Sequence, residues 1–334
     1  MADTYTQVKD IVVNITTAAA VGSIGLGKPL VIQGKATAAV EYTECNNIAD
    51  VVTAGFAAET EVYKACAAIF AQDNKPKTVA VAATDGKVAD YITANKDKDF
   101  RQVVPVLGDS DSTVAELVQA INALDQKMLF IVCATKDELP KTQSERVVAV
   151  VYGGASEYAN AAVVGASAGR AAGSFTYKNL VIRGIEPEDL TPAQVEEIHN
   201  AGAMCIVKKA GDVVTSEGKT TDGEYVDVID SQDYIISNVV YKGQKLLNNN
   251  AKITFDNVGI SQLENVVTSV LADAYGLGII ATNEDGTPAY STTFATRAEV
   301  SANDRAARTY NGGNFKFDLA GAIHNATING TLVI

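Results

Sequence analysis

The stretch GNFKFDLAGAIHNATINGTLVI, residues 313–334, contains two runs in which apolar and polar side chains alternate. In the first run, Phe315, Phe317 and Leu319 fall on one face. The apolar face of the second run consists of Ala326, Ile328, Leu332 and Ile334. Alternation with a period of two predicts half-buried β-strands. Terminal segments are usually ordered only when something ties them down, so these strands need a partner.

A similar pattern occupies residues 8–15. The side chains that mark this N-terminal strand are Val8, Ile11, Val13 and Ile15. Residues 18–27 are then small and glycine-rich, which predicts a hinge rather than a regular element. The glycines assigned to the hinge are Gly22, Gly25 and Gly27. We therefore expect an N-terminal arm and hinge over residues 1–27.

Residues 28–175 have the pattern of an α/β lobe. The short apolar runs at 79–83 and 129–134 are typical of buried strands, and residues 145–151 begin another. Between them, residues 114–124 repeat apolar side chains with helical spacing, with Asp111 or Ser112 as the predicted cap. The fold class expected is mixed α/β and α+β, with helix-covered sheets and extended strand arms at both ends.

Residues 176–312 predict a second α/β lobe. Thr191 followed by Pro192 is a strong helix start, because threonine caps the first turn and proline suits the first helical position. Strands are predicted at 203–208 and 213–216, and helices at 230–247 and 260–275. Residues 313–334 complete the division as a C-terminal hairpin and arm. A length of 334 residues fits two lobes, since single cores stop growing near about 250–300 residues.

Composition excludes several classes of protein. The net charge of −13 argues against nucleic acid as a partner. The sequence has no run of about 18 apolar residues, so no membrane insertion is expected, and Met1–Asp10 lacks the pattern of a signal peptide. The four cysteines form no CxxC pair, which favours small buried side chains in a reducing compartment.

Sites for phosphate, metal or cofactor are not predicted. GSIGLGKP, residues 22–29, resembles a phosphate-binding loop, but its glycine spacing is too short and Pro29 follows Lys28 in place of Ser or Thr. The sequence has no HExxH motif and no Cys/His cluster with zinc spacing. DGEYVD, residues 222–227, lacks the spacing of a calcium loop. We therefore expect no cofactor and no metal.

GASAG, residues 165–169, matches the G-x-S-x-G nucleophile motif of serine hydrolases, with Ser167 as the nucleophile. The chain has two histidines, His199 and His324, and Asp227 or Asp230 could complete a triad with His324. Serine is also a common filler in runs of alanine and glycine, which is the simpler interpretation. A serine hydrolase stays open as an alternative function, as does a soluble binding module with an exposed strand.

The second half of the chain resembles the contractile tail sheath proteins of myophages and related phage-tail-like particles. The resemblance rests on three segments: residues 180–218, LVIRGIEPEDLTPAQVEEIHNAGAMCIVKKAGDVVTSEG; residues 220–239, TTDGEYVDVIDSQDYIISNV; and residues 301–334, SANDRAARTYNGGNFKFDLAGAIHNATINGTLVI. The order in the last segment, a short helix with Arg-Ala-Ala-Arg, a hairpin with Ala-Gly-Ala-Ile-His and a terminal Ile-Asn-Gly-Thr, is distinctive. A mass of 35.0 kDa is similar to that of the compact sheaths.

This resemblance implies a structural protein without an active site. Sheath subunits form six-fold rings stacked around an inner tube, and their arms add strands to neighbouring subunits. The implied partners are further copies of the chain, the inner tail tube protein, and baseplate and tail terminator proteins. The implied location is the tail of a virion or phage-tail-like particle, assembled in the cytoplasm of a bacterial host. The two strand patterns near residues 8–15 and 323–333 fit such arms.

A basic cluster just before the C-terminal strands stands out in this acidic chain. Arg305 and Arg308 are three residues apart, so on a helix capped by Ser301 they would share a face. In similar sheaths the helix in this position touches the tube. The resemblance therefore implies that these arginines face the lumen and meet acidic groups of the tube.

Overall fold

Residues 28–151 form a six-stranded sheet. The computed structural model describes residues 26–107, 112–124, 126–154 and 158–328. The strands of this sheet are β1 (Lys28–Gln33), β2 (Val40–Cys45), β3 (Val79–Ala83), β4 (Phe100–Val106), β5 (Met128–Cys133) and β6 (Val147–Val151). They lie in the order β2-β3-β1-β4-β5-β6, and every pair is parallel except β2 with β3. The predicted mixed α/β class is confirmed.

Helices cover both faces of this sheet. They are α1 (Ile48–Thr53), α2 (Glu61–Phe70), α3 (Val88–Ala94), α4 (Val114–Asn122) and α5 (Ala159–Ser167). Consecutive side chains of a strand point to opposite faces. Val79 and Val81 therefore enter one hydrophobic cluster with α2 and α5, whereas Ala80 and Ala82 enter a second cluster with α3 and α4. Because both of their faces are buried, β3 and β6 are continuous apolar runs.

The starts of two helices test the predicted caps. The expected cap of α4 at Asp111 or Ser112 is wrong, since Thr113 caps it through a reciprocal capping box with Glu116. Ser112 is instead buried, and its hydroxyl accepts a hydrogen bond from the backbone of Ala89 at 3.0 Å. The predicted start of the next helix, with Thr191 as its cap, is confirmed.

The second half of the described chain supplies the remaining elements. They are α6 (Pro192–Asn200), β7 (Ile206–Lys209), β8 (Asp212–Thr215), α7 (Val226–Asn249), α8 (Asn257–Gly276), β9 (Tyr290–Phe294), α9 (Ala302–Ala306) and β10 (Gly313–Phe317). Strands β7 and β8 form one antiparallel hairpin, and β9 and β10 form another two-stranded sheet.

Residues 176–229 pack onto the first sheet. Met204 forms a parallel bridge with Val150, so it covers the outer edge of β6. Tyr177 and Ile206 belong to the first hydrophobic cluster, and Cys205 belongs to the second. The core around the sheet therefore draws residues from both sides of position 175, and the domain division at that position remains a prediction.

A smaller third hydrophobic cluster lies between α7, α8 and β9. Its buried members include Tyr234 and Ile235 from α7, and Val270 and Leu271 from α8. Phe317 of β10 packs against it and is only partly buried. This cluster supports the C-terminal part of the chain, and it is separate from the two clusters of the main sheet.

Buried charges join the main sheet to α7. Arg101 on β4 is fully buried, and its guanidinium contacts the carboxylates of Asp230 and Asp233, the latter at 2.6 Å. Arg146 also pairs with Asp233, and the hydroxyl of Tyr177 donates to Asp230 at 2.9 Å. A buried ion pair is stable only when its members remain hydrogen-bonded, so this network fixes α7 on the sheet.

The four cysteines are all buried, as predicted, and none forms a disulfide. Burial raises the pKa of Cys45 and Cys133 to about 11. These thiols are therefore protonated near neutral pH and act as small apolar side chains.

Candidate assembly surface

The sheet formed by β9 and β10 is incomplete. Five residue pairs join the two strands, from Gly313 opposite Phe294 to Phe317 opposite Tyr290. Among the described residues no third strand pairs with either of them, so both outer edges are free. An isolated two-stranded hairpin is at best marginally stable, and this one depends on packing against α8. The hydroxyl of Thr292 fixes that packing by donating to Glu264 at 2.9 Å.

The register identifies which groups line the outer edge of β10. The backbone N–H of Ala295 donates to the carbonyl oxygen of Gly312, and the N–H of Asp318 donates to that of Ala289. These residue pairs are therefore hydrogen-bonded to each other within the sheet. Such pairs alternate with pairs whose N–H and C=O groups point outward. Phe315 belongs to an outward-pointing pair, so its N–H and C=O can bond to an added strand. Phe315 is 41% exposed.

The segment after β10 leaves the body of the molecule. Its last backbone bond to another element runs from Ala320 to Ile279 at 2.9 Å. Ile323 is 87% exposed and Ile328 is 92% exposed. Residues 320–328 form no regular strand, although Ala326 and Ile328 belong to the predicted arm. Leu332 and Ile334 lie outside the described residues. Within the described residues, the apolar side chains of Ile323 and Ile328 are therefore left without cover.

His324 is held where this segment crosses a cleft of about 620 Å³. One ring nitrogen lies 3.0 Å from the hydroxyl of Thr176, and the ring meets Tyr225 edge-on at 4.8 Å. The other ring nitrogen is 3.7 Å from a carboxylate oxygen of Glu217. Burial raises the pKa of the neighbouring Asp227, although hydrogen bonding to Thr176 opposes that shift.

The basic cluster has a different geometry from the predicted one. The helix that begins after Ser301 ends at Ala306, so the expectation that Arg305 and Arg308 share a helical face is wrong. Arg308 follows the helix with a φ of 58°, a left-handed conformation that turns the chain away. Arg305 is partly buried and donates to the carbonyl oxygens of Arg297 and Val300. Arg308 is exposed. Tube contact at both positions stays a prediction.

Ser167 is not placed for catalysis. It lies at the end of α5 rather than on a sharp turn between a strand and a helix, and it is 2% exposed. Its hydroxyl donates to the carbonyl oxygen of Val163 at 2.9 Å. His324 contacts Thr176, and His199 contacts Ser216 at 2.8 Å, so neither histidine is hydrogen-bonded to Ser167. A serine hydrolase is therefore not supported.

The N-terminal predictions fall mainly outside the described residues. Val8, Ile11, Val13 and Ile15 lie there, as do Gly22 and Gly25. Gly27 is described and has a φ of 106°, with its Cα against the backbone of β4. A Cβ at this position would lie 3.0 Å from the carbonyl carbon of Phe100, so only glycine fits without strain. The hinge itself remains a prediction.

In the part of the chain that the structure describes, no group of three or more potential ligands could hold a metal ion. Within the same residues, no helix has the length and apolarity needed to cross a membrane. Among the described residues, the candidate assembly surface consists of the free edges of β9 and β10 and the segment after them.

Two features of this region were missed by sequence reasoning. In strand β9, YSTTF, the aromatic side chains stand only at the two ends, and the residues between them are small and polar. The sequence pattern therefore did not mark this segment as the partner of β10. His324 was considered only as a member of a triad, because its contacts with Thr176 and Tyr225 come from segments 148 and 99 residues earlier in the sequence.

Comparison with protein-family models and with curated proteins gives no match. Solved structures are similar over nearly the whole chain. A chain of the contracted helical sheath of the anti-feeding prophage has a TM-score of 0.67 and 15% identity, and 99% of each chain is covered. A chain of the contracted PVC sheath complex, from an extracellular contractile injection system, has a TM-score of 0.69 and 12% identity, with 99% of this chain and 98% of that chain covered.

A sheath tail protein from Listeria innocua is also similar, with a TM-score of 0.56 and 12% identity, and the match covers 81% of this chain and 89% of that protein. Identities this low establish the fold and leave function to be argued from the surface itself. The sheath fold that the sequence resemblance implied is confirmed, and this chain therefore has the fold of contractile sheath proteins from nearly one end to the other.

Proposed function

We propose that this chain is a contractile tail sheath subunit. It polymerises as stacked six-fold rings around an inner tail tube, and contraction of the lattice drives that tube through a cell envelope. The observation that carries the proposal is the incomplete β9–β10 sheet beside an outgoing apolar segment. The sheath fold of the whole chain supports the same conclusion.

The assembly step is strand addition between subunits. The N-terminal strand of one neighbour and the C-terminal strand of another pair with the free edges of β9 and β10. Main-chain hydrogen bonds supply affinity, and alternating side chains fix the register. The side chains assigned to the donated strands are Val8, Ile11, Val13, Ile15, Ala326, Ile328, Leu332 and Ile334. Such a head-to-tail contact need not close on itself, so it can generate a helical lattice.

The proposed role is mechanical and not enzymatic. An extended lattice is metastable, and contraction lets the α/β bodies rotate into new contacts while the arms keep neighbouring subunits joined. The free energy comes from those contacts, and neither a cofactor nor a nucleotide takes part. Gly22 and Gly25, with the anchored Gly27 after them, would allow the N-terminal arm to change direction as the rings move.

The remaining partners follow from this role. Arg305 and Arg308 face the lumen and meet acidic groups on the tube protein, and the pair made by the exposed Arg308 contributes only about 0.2–1 kcal/mol. Baseplate and tail terminator proteins contact the two ends of the lattice. The particle is a virion tail or a phage-tail-like device that assembles in the host cytoplasm.

The free edge of β10 can be tested with a matched pair of substitutions. Phe315→Pro removes both the ring and the outward N–H, whereas Phe315→Ser removes only the ring. We expect both variants to fold, because proline is tolerated on the open side of an edge strand. Electron microscopy should show tubes for the wild type and for Phe315→Ser, and only dispersed subunits for Phe315→Pro. Full-length tubes from the proline variant would contradict strand addition at this edge.

Charge reversal tests the contact with the tube. Replacing both Arg305 and Arg308 with glutamate should leave empty sheaths able to form and should abolish assembly around the tube. Restored assembly on a tube whose acidic charges are also reversed would confirm the pairing. Tube-filled particles from the reversed sheath on an unmodified tube would refute it.

A further inference from the structure

Beyond Ala320, the described part of the segment after β10 is attached to the body at one side chain. Every residue from 321 to 328 is exposed except His324. The side chain of His324 is only 11% exposed, while its neighbour Ile323 is 87% exposed. A histidine in an otherwise exposed segment would normally be solvated. Its burial therefore marks a specific point of attachment.

Three separate parts of the chain build the socket for this ring. Thr176 lies after α5, Glu217 follows β8, and Tyr225 immediately precedes α7. Thr176 supplies the hydrogen bond, and Tyr225 supplies an edge-on ring contact with an interplanar angle of 88°. The socket belongs to the rigid body, because Tyr177 beside it is fully packed into the first hydrophobic cluster.

The attachment is also incomplete. The second ring nitrogen of His324, Nδ1, is buried without a hydrogen-bond partner among the described residues. Its distance of 3.7 Å from Glu217 exceeds that of a hydrogen bond. One hydrogen bond and one ring contact hold the segment in place. The unpaired Nδ1 opposes this, because burying a polar atom without a partner costs free energy. Such an attachment sets the direction in which the segment leaves the body. It still allows the segment to rotate and the contact to open.

We propose that His324 is the pivot of the C-terminal arm. Its side chain holds the root of the arm in the socket of Thr176, Glu217 and Tyr225, and the strand-forming residues after it swing about this point. The inference rests on the proposed sheath function, because it assigns the fixed and moving parts of the donated strand. Motion between lattice states then begins at Asn325, and the path from β10 to His324 stays with the home subunit.

The pivot can be tested on the isolated subunit with paired spin labels. The four native cysteines are buried, so labels can be attached to Ile323→Cys and to Val52→Cys, both at exposed positions. Pulsed electron paramagnetic resonance should give a narrow distance distribution in the wild-type background. His324→Ala should broaden that distribution at least twofold. His324→Gln can keep the hydrogen bond to Thr176, and it should restore most of the narrow distribution.

Two further variants keep the test decisive. Thr176→Val removes the hydroxyl that contacts both His324 and Asp227, and it should broaden the distribution without changing a residue of the arm, which decides the matter if His324→Ala does not fold. Thr327→Ala, an exposed change in the same segment, should have no effect. Equal widths in the wild type, His324→Ala and Thr176→Val would overturn the pivot. Tube formation by the wild type is scored separately by microscopy, so failure of the sheath function is recognised independently.

Discussion

The main sheet and the β9–β10 region differ in how completely their strands are paired and covered. In the main sheet, Met204 covers the edge at β6, and helices bury both faces. In the β9–β10 region, two strands stand alone among the described residues, a small cluster supports one face, and Ile323 and Ile328 are left almost fully exposed. Free, exposed edges normally invite aggregation. In the proposed function, pairing with other subunits is directed to the β9–β10 region.

This contrast implies that stability and assembly can be separated by mutation. Substitutions that disturb the body should change the free energy of unfolding, whatever their effect on polymerisation. Substitutions at the free edges or in the outgoing segment should change polymerisation and leave unfolding nearly unchanged. The two Phe315 variants test substitutions at a free edge. Asp233→Ala, Glu197→Ala and His199→Gln test substitutions in the body.

The largest effect on stability is expected in the buried charge network. Asp233→Ala leaves the guanidinium groups of Arg101 and Arg146 without their shared carboxylate, and breaking a buried pair in this way costs about 3–5 kcal/mol. Urea unfolding followed by circular dichroism would measure the loss.

A matched control lies on the surface. Glu197 pairs with Lys136, and both side chains are well exposed, so Glu197→Ala should lower the free energy of unfolding far less than Asp233→Ala does. Similar small losses in Asp233→Ala and in this control would show that the network does not hold α7 on the sheet.

A smaller effect is expected from His199 at the end of α6. Burial lowers the pKa of His199 below 6.5, and the nearby lysines act in the same direction against Glu217. The unfolded chain therefore binds a proton more readily than the folded one, so stability is present above about pH 6.5 and falls as the pH drops through the lower folded value. The urea midpoint should decline between pH 7.5 and 5.5, and less so in His199→Gln. If the urea midpoint of His199→Gln declined as much as that of the wild type, His199 would not be the source of the decline.

Local pattern was enough to predict much of the body. Strand β3 coincides with the predicted run at 79–83, and the capped start at Thr191 and Pro192 was located correctly, because such features depend on neighbours in the sequence. The long helices α7 and α8 also follow their apolar period, although α7 begins four residues before the predicted position.

Features that depend on distant partners could not be predicted in this way. Arg101 is a charged residue inside an apolar strand, and its burial makes sense only with Asp233, 132 positions away. The pairing of β9 with β10 passes across α9 and a loop, and the left-handed turn at Arg308 ends a helix that the sequence suggested would continue. Each depends on tertiary contacts that no local period encodes.

In the proposed function, the body folds by itself while the C-terminal arm assembles the lattice. The most direct measurement is electron microscopy of the purified chain beside a variant that ends at Asn325, together with the melting temperature of each. We predict ringed tubes from the full chain, and a dispersed subunit with an unchanged melting temperature from the shortened one. Full-length tubes assembled from the chain that lacks residues 326–334 would contradict the account.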